Sequence, residues 1–178
     1  MYGKWVNKCV LKIAYVVVLL LAMTACKNDP QPVHKLSDDR KVDSVLMAKL
    51  QFNQRMVDAA DKQCVDYVTA QTETYAQDDL GFWYHKTLKT DAATLQTGEI
   101  VDAHVQVSEL NGNQLVDLKQ SLQVGDGNLP IAITRILKMM ARGEQMQLVC
   151  PWYTAFGVEG TNAVKPYTNV KITISIDE

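Results

Sequence analysis

The chain carries little that would commit it to metal, nucleic-acid or hydrolytic chemistry. Its three histidines, His34, His85 and His104, are scattered, and no Cys-x-x-Cys pair accompanies them, so no metal-ligand spacing is present. Eighteen basic against twenty acidic side chains leave a net charge of −2, with no basic cluster to attract nucleic acid or an acidic membrane surface. Gly-x-Ser-x-Gly, Ser-x-x-Lys and His-Glu-x-x-His are all missing, which removes the common hydrolase arrangements. No internal repeat occurs, and strand and helix do not alternate as they must in a parallel sheet.

What is present begins with an export signal. Lys4, Lys8 and Lys12 form a cationic lead, and residues 13–22 are uniformly apolar but fall short of the ~20 residues that a membrane-spanning helix needs. Met23-Thr24-Ala25-Cys26 then resembles the lipobox of bacterial lipoproteins, in which small residues fit the signal peptidase and the cysteine thiol accepts diacylglycerol. Residues 1–25 are therefore expected to be removed as a lipoprotein signal peptide, leaving Cys26 as the lipidated first residue of a cell-envelope protein. A thioether diacylglycerol and an N-acyl chain together supply the two hydrophobic signals that stable anchoring requires. Lys27, with Asp29 nearby, points to the outer membrane, on its periplasmic or surface side.

About 150 residues then remain, enough for one good core. Of the four cysteines only Cys64 and Cys150 are left to pair, and their spacing does not decide whether they meet. Residues 26–36 hold Pro30 and Pro32 among polar side chains and read as an extended tether. Residues 37–79 read as a helical extension. Ser37 offers a cap, Asp38 and Asp39 complement the helix dipole, and Val42, Leu46, Leu50, Val57, Ala60, Cys64 and Tyr67/Val68 recur near helical spacing. That stripe must pack on its own domain, on a second subunit or on a partner protein. Asp58, Asp61 and Asp66 fall between its members and read as the wet side.

From Gly81 the period becomes two. Phe82, Tyr84 and Lys86 oppose Trp83, His85 and Thr87; Val101, Ala103, Val105 and Val107 alternate with Asp102, His104 and Gln106. Asn111-Gly112 is a tight-turn signal favoured where both central residues take positive φ, and it returns the chain through Leu115-Val116. Ile133, Ile136, Leu137 and Met140 mark a short helix for which Gly143 would be the residue after the C-cap. Met146, Leu148 and Cys150 begin another strand, and Val170, Ile172, Ile174 and Ile176 form the last. The order is that of an α+β domain, residues 80–178, with an antiparallel sheet wrapped around one short helix.

Gly143-Glu-Gln-Met-Gln-Leu-Val-Cys-Pro151, Ala155-Phe-Gly157, Lys165-Pro166 and Val170-Lys-Ile-Thr-Ile174 together resemble the C-terminal half of FKBP-type peptidyl-prolyl cis-trans isomerases. Upstream, Gly98-Glu99 through Asn111-Gly112 and Leu122-Gln-Val-Gly125-Asp-Gly127 resemble that family's hairpin and the turn before its helix. The segment from Gln54 to Asp79 leading into Gly81-Phe-Trp-Tyr84 is also similar to the lead-in of the gliding-motility-associated FKBP-type lipoproteins. The resemblance implies a prolyl-peptide pocket working without nucleophile, metal or cofactor. It places Phe156 where the family has a tyrosine that hydrogen-bonds the substrate carbonyl, and Ile133 where it has the tryptophan of the pocket floor; these are the expected catalytic positions. Val105, Leu115, Val116, Leu129, Pro130, Val164 and Ile172 fall at the substrate-binding positions, and Gln120 where another phenylalanine is usual. Val116 stands at an aspartate position that a one-residue shift would give to Asp117. Trp152 and Tyr153 fall in the loop that overhangs the pocket. The expected partners are prolyl-containing or unfolded polypeptides or, for a scaffold that has lost catalysis, another envelope protein docked on the helical stripe.

Overall fold

The computed structural model describes residues 39–177; the segments expected to be signal peptide and tether, together with Cys26 and the expected cap Ser37, lie outside the described residues. Backbone contacts separate Met1–Ser44 from Val45–Glu178. Sheet and core belong to the latter unit.

One helix, α1 (Asp39–Thr69), runs for 31 residues without a break. Its apolar stripe has two fates. Ala60 and Cys64 are buried, whereas Leu46 and Leu50 are more than half exposed, as are Val45, Met47 and Phe52, which are not part of the stripe. The side chain of Val42 lies outside the described residues. After α1 the chain enters a six-stranded antiparallel sheet of β1 (Ala76–Gln77), β2 (Trp83–Leu88), β3 (Ile100–Glu109), β4 (Gln114–Gln123), β5 (Gln145–Cys150) and β6 (Val170–Ile176), in the order β1-β2-β5-β6-β3-β4. The sheet thus takes its first strand from inside the segment read as helical extension, since Ala76 and Gln77 pair with Tyr84 and Trp83.

Alternation sorts the strand residues onto two faces. Val101, Ala103, Val105 and Val107 join Met146, Leu148, Ile172, Ile174 and Ile176 in one buried cluster with Ile133, Ile136 and Leu137 of α2 (Ile131–Leu137). Trp83 and Val149, paired across β2 and β5, form a second cluster with Cys64, and Tyr67 and Val68 pack against it. The C-terminal part of α1 therefore covers the outer face at β2–β5, while α2 fills the inner face. Cys64 and Cys150 are both free and buried, one in each cluster. Burial, then the charge of Asp61, pushes the Cys64 thiol up to about 12, and burial raises Cys150 as well, so neither exists as a reactive thiolate.

Two turns differ from the sequence reading. At Asn111-Gly112 only Gly112 has positive φ, +93°, because the Asn111 side chain accepts the Asn113 N–H at 2.8 Å and closes the turn without left-handed geometry of its own. The helix α2 ends at Leu137, well before Gly143. Met139 and Met140 bond three residues back to Ile136 and Leu137, and the Met140 carbonyl then accepts the Leu95 N–H at 2.9 Å, which draws the chain out of the helix. Gly143 instead leads into β5, two residues before its start, with its N–H bonded to the Ile176 carbonyl. Glu144 fastens this corner: both carboxylate oxygens accept Lys86 Nζ, at 2.8 and 2.7 Å, and the Ala141 N–H donates at 2.9 Å.

Candidate functional site

The inner cluster gathers most of the positions singled out by the resemblance. Val105, Ile133, Val164 and Ile172 are buried in it, and Leu115, Val116, Leu129 and Phe156 are half-buried and pack against it. Pro130 caps the N-terminus of α2 at φ −48° and ψ 139°; its lack of an N–H costs nothing there. These nine side chains come from β3, β4, the entry to α2, α2 itself, the loop between β5 and β6, and β6.

Leu115 and Val116 are neighbours in sequence, yet both pack inward. Regular alternation forbids this; a bulge permits it. Val116 pairs with Val107 and Gln114 with Ser108, so Leu115 is an extra residue in β4 and two consecutive side chains turn to one side. The same register decides the carboxylate question. Asp117 pairs with Gln106 on the outer face and accepts hydrogen bonds from His104 Nε2, Gln106 Nε2 (3.0 Å) and Gln114 Nε2 (2.8 Å). These partners, His104 first, hold its carboxyl down at about 2. Val116, not Asp117, contributes to the inner wall. Gln120 shares the side of its partner Ala103 but remains exposed, so it adds nothing to the apolar cluster. Leu118, opposite Val105 and 38% exposed, and Tyr84, packed on the cluster, were legible as inward-facing from alternation but were not marked by the resemblance.

The loop after β5 carries Phe156 and Val164, and it is internally braced. A short 3-10 turn, Trp152–Thr154, begins it, and the Trp152 carbonyl accepts the N–H groups of Ala155 and Gly157 at 3.2 and 2.8 Å. Gly160 has φ +65°, and a Cβ there would run into the Val164 carbonyl oxygen, so only glycine fits where the chain doubles back. The Trp152 ring stands edge-on to Tyr153 and Tyr167, with centroids 5.5 and 5.0 Å away. Tyr153 does not lend its hydroxyl to the inner cluster: it donates to Asp61 of α1. Burial, then this bond, raises the phenol above its ordinary range. Asp61 is thereby taken off the wet side of the helix, whereas Asp58 and Asp66 remain exposed.

All nine side chains are apolar, and Phe156 is the one aromatic ring among them. Such a surface can strip water from a peptide group and seat an apolar ring, but it has no side-chain acid, base or hydrogen-bond donor of its own. Among the described residues, no three His, Cys, Asp or Glu side chains come together to hold a metal ion.

No protein-family model matches the chain, and no curated protein matches it. Solved structures do. FkpA from Escherichia coli aligns with a TM-score of 0.57 at 19% identity, over 81% of this chain and 73% of its own. A peptidyl-prolyl cis-trans isomerase from Pseudomonas syringae pv. tomato aligns at 0.56 and 17%, over 68% and 93%. AtFKBP13 aligns at 0.54 and 16%, covering 98% of its own length but 59% of this chain, so the shared fold occupies only part of the sequence. An antiparallel sheet closed around α2, with α1 leading into it, is an FKBP-like α+β fold, and that is what the chain has.

Proposed function

We propose that the protein belongs to the FKBP-type peptidyl-prolyl isomerases, near the gliding-motility-associated lipoproteins, and binds prolyl-containing or unfolded polypeptides as an envelope folding factor. It is anchored through Cys26 at the bacterial outer membrane. The observation that carries the reading is the convergence of Val105, Leu115, Val116, Leu129, Ile133, Phe156, Val164 and Ile172 on one apolar cluster within an FKBP-like fold. Rotation about an X-Pro bond costs ~18–20 kcal/mol because amide resonance is lost at the twisted geometry. The twisted amide is less polar than the planar one, so a dry apolar surface favours it over the ground state, and that difference is catalysis. Without a tyrosine hydroxyl at Phe156 the acceleration is modest and peptide binding dominates.

The test is a proline-limited refolding assay with residues 27–178. The wild-type chain should accelerate the slow phase; Phe156→Ala should abolish the gain, and Phe156→Tyr should raise it. A wild-type rate equal to buffer would sink the catalytic reading. A second reading, a non-catalytic module that docks another envelope protein, is favoured by one observation, the exposure of Val45, Leu46, Met47, Leu50 and Phe52 on α1. It requires that Leu46→Ser and Leu50→Ser release a co-purifying envelope protein while the melting of the sheet stays unchanged.

A further inference from the structure

We infer that the helical extension is part of the peptide site: α1, acting through Gln63 and Asn169, sets the position of Phe156. The inference rests on reading the inner apolar cluster as a peptide site.

Asn169 is buried, at the end of the loop just before β6. Its Nδ2 donates to Gln63 Oε1 at 2.8 Å and to the Ala60 carbonyl at 3.4 Å, both on α1. Its Oδ1 accepts the Trp152 N–H at 2.9 Å. The Trp152 carbonyl in turn accepts the N–H groups of Ala155 and Gly157, the residues on either side of Phe156. An unbroken hydrogen-bonded path therefore joins a side chain on the outer helix to the backbone that carries Phe156. A buried amide is costly to leave unpaired, so Asn169 keeps this orientation only while both the helix and the loop supply its partners.

A second tie runs parallel. The Tyr153 hydroxyl donates to Asp61, and Gly81 gives it room, since a Cβ at Gly81 would stand 2.8 Å from that hydroxyl. Both ties join α1 to the turn beginning at Trp152. Since α1 packs against the outer cluster and Phe156 against the inner one, the loop is the physical connection between them. Gln63 and Asn169 are thus positioning residues: they touch no peptide and act through the loop.

Gln63 is exposed, so Gln63→Ala removes the closer of the two helix-side acceptors of Asn169 without opening a core cavity, leaving only the longer bond to the Ala60 carbonyl. Two quantities are read on the full mature chain: affinity for a dye-labelled Ala-Leu-Pro-Phe peptide, and hydrogen exchange at the Ala155 and Gly157 amides. Gln63→Ala should weaken binding about 2- to 5-fold, the scale of one lost hydrogen bond, and speed exchange at both amides by a similar factor. Exchange at Met146 and Ile172 should not change. Gln63→Glu keeps an acceptor for Asn169 Nδ2 and should restore both readouts. Unchanged exchange at Ala155 and Gly157 in Gln63→Ala overturns the inference, as does weakened binding that Gln63→Glu fails to restore. If the wild-type chain binds no peptide, the reading of the site fails, and the exchange measurement alone decides whether α1 holds the loop.

Discussion

The two faces of the sheet share six strands but not their chemistry. On the inner face, Val101, Ala103, Val105 and Val107 of β3 and Ile172, Ile174 and Ile176 of β6 are all buried. On the outer face, the β3–β4 half is polar: the Ser121 hydroxyl donates to Asp102, and Asp117 gathers His104, Gln106 and Gln114. Only the β2–β5 half is apolar outside, with Trp83 and Val149 beneath Cys64 of α1. A polar outer half can face water, while an apolar one needs a cover, so the outward residues of each strand pair record whether a second layer lies over it. The difference is also one of depth, since the inner cluster is continuous and the outer one is small.

The largest expected effect tests the inner side. Phe82 is fully buried there, and Phe82→Ala should cost about 3–5 kcal/mol in urea unfolding. Val149→Ala, on the outer side, should cost less, about 2 kcal/mol, with faster amide exchange confined to residues 60–69 of α1. Equal losses in the two variants, with exchange spread evenly, would mean that both faces unfold as one unit and would erase the distinction. The smallest effect belongs to the polar patch. The Asp117 carboxyl is held at about 2 by hydrogen bonds from His104, Gln106 and Gln114, below the ordinary ~3.9. Its contribution to stability is therefore full above about pH 4 and disappears as pH falls towards about 2. Asp117→Asn should melt slightly below wild type at neutral pH, and the gap should close across that acid window. A gap independent of pH would show that the patch is held by something other than charge.

The strands were legible because alternation needs only local sequence: β2, β3, β5 and β6 lie where Phe82/Tyr84, Val101 to Val107, Met146 to Cys150 and Val170 to Ile176 place them. Features set by distant partners were not. The early end of α2 depends on Leu95 meeting the Met140 carbonyl, 45 residues away in sequence, and nothing around Gly143 announces it. Asp61 looks like any carboxylate on a helix until Tyr153 arrives beside it. Asn169 is a single polar residue in a loop, with no period to betray that it bridges α1 and Trp152. For the candidate site, burial and side were readable, but the choice between Val116 and Asp117 was not, because a bulge suspends the alternation on which such a reading relies.

That irregularity at Leu115 has a consequence for how the wall could change over time. The ladder is already in step on both sides of it, Val107 with Val116 and Ser108 with Gln114. Leu115 is thus a spare link: deleting it would take one panel from the wall while every other strand kept its thread. Loss of that one codon would open the wall at Leu115 and leave the pairing of β3 with β4 unchanged on either side.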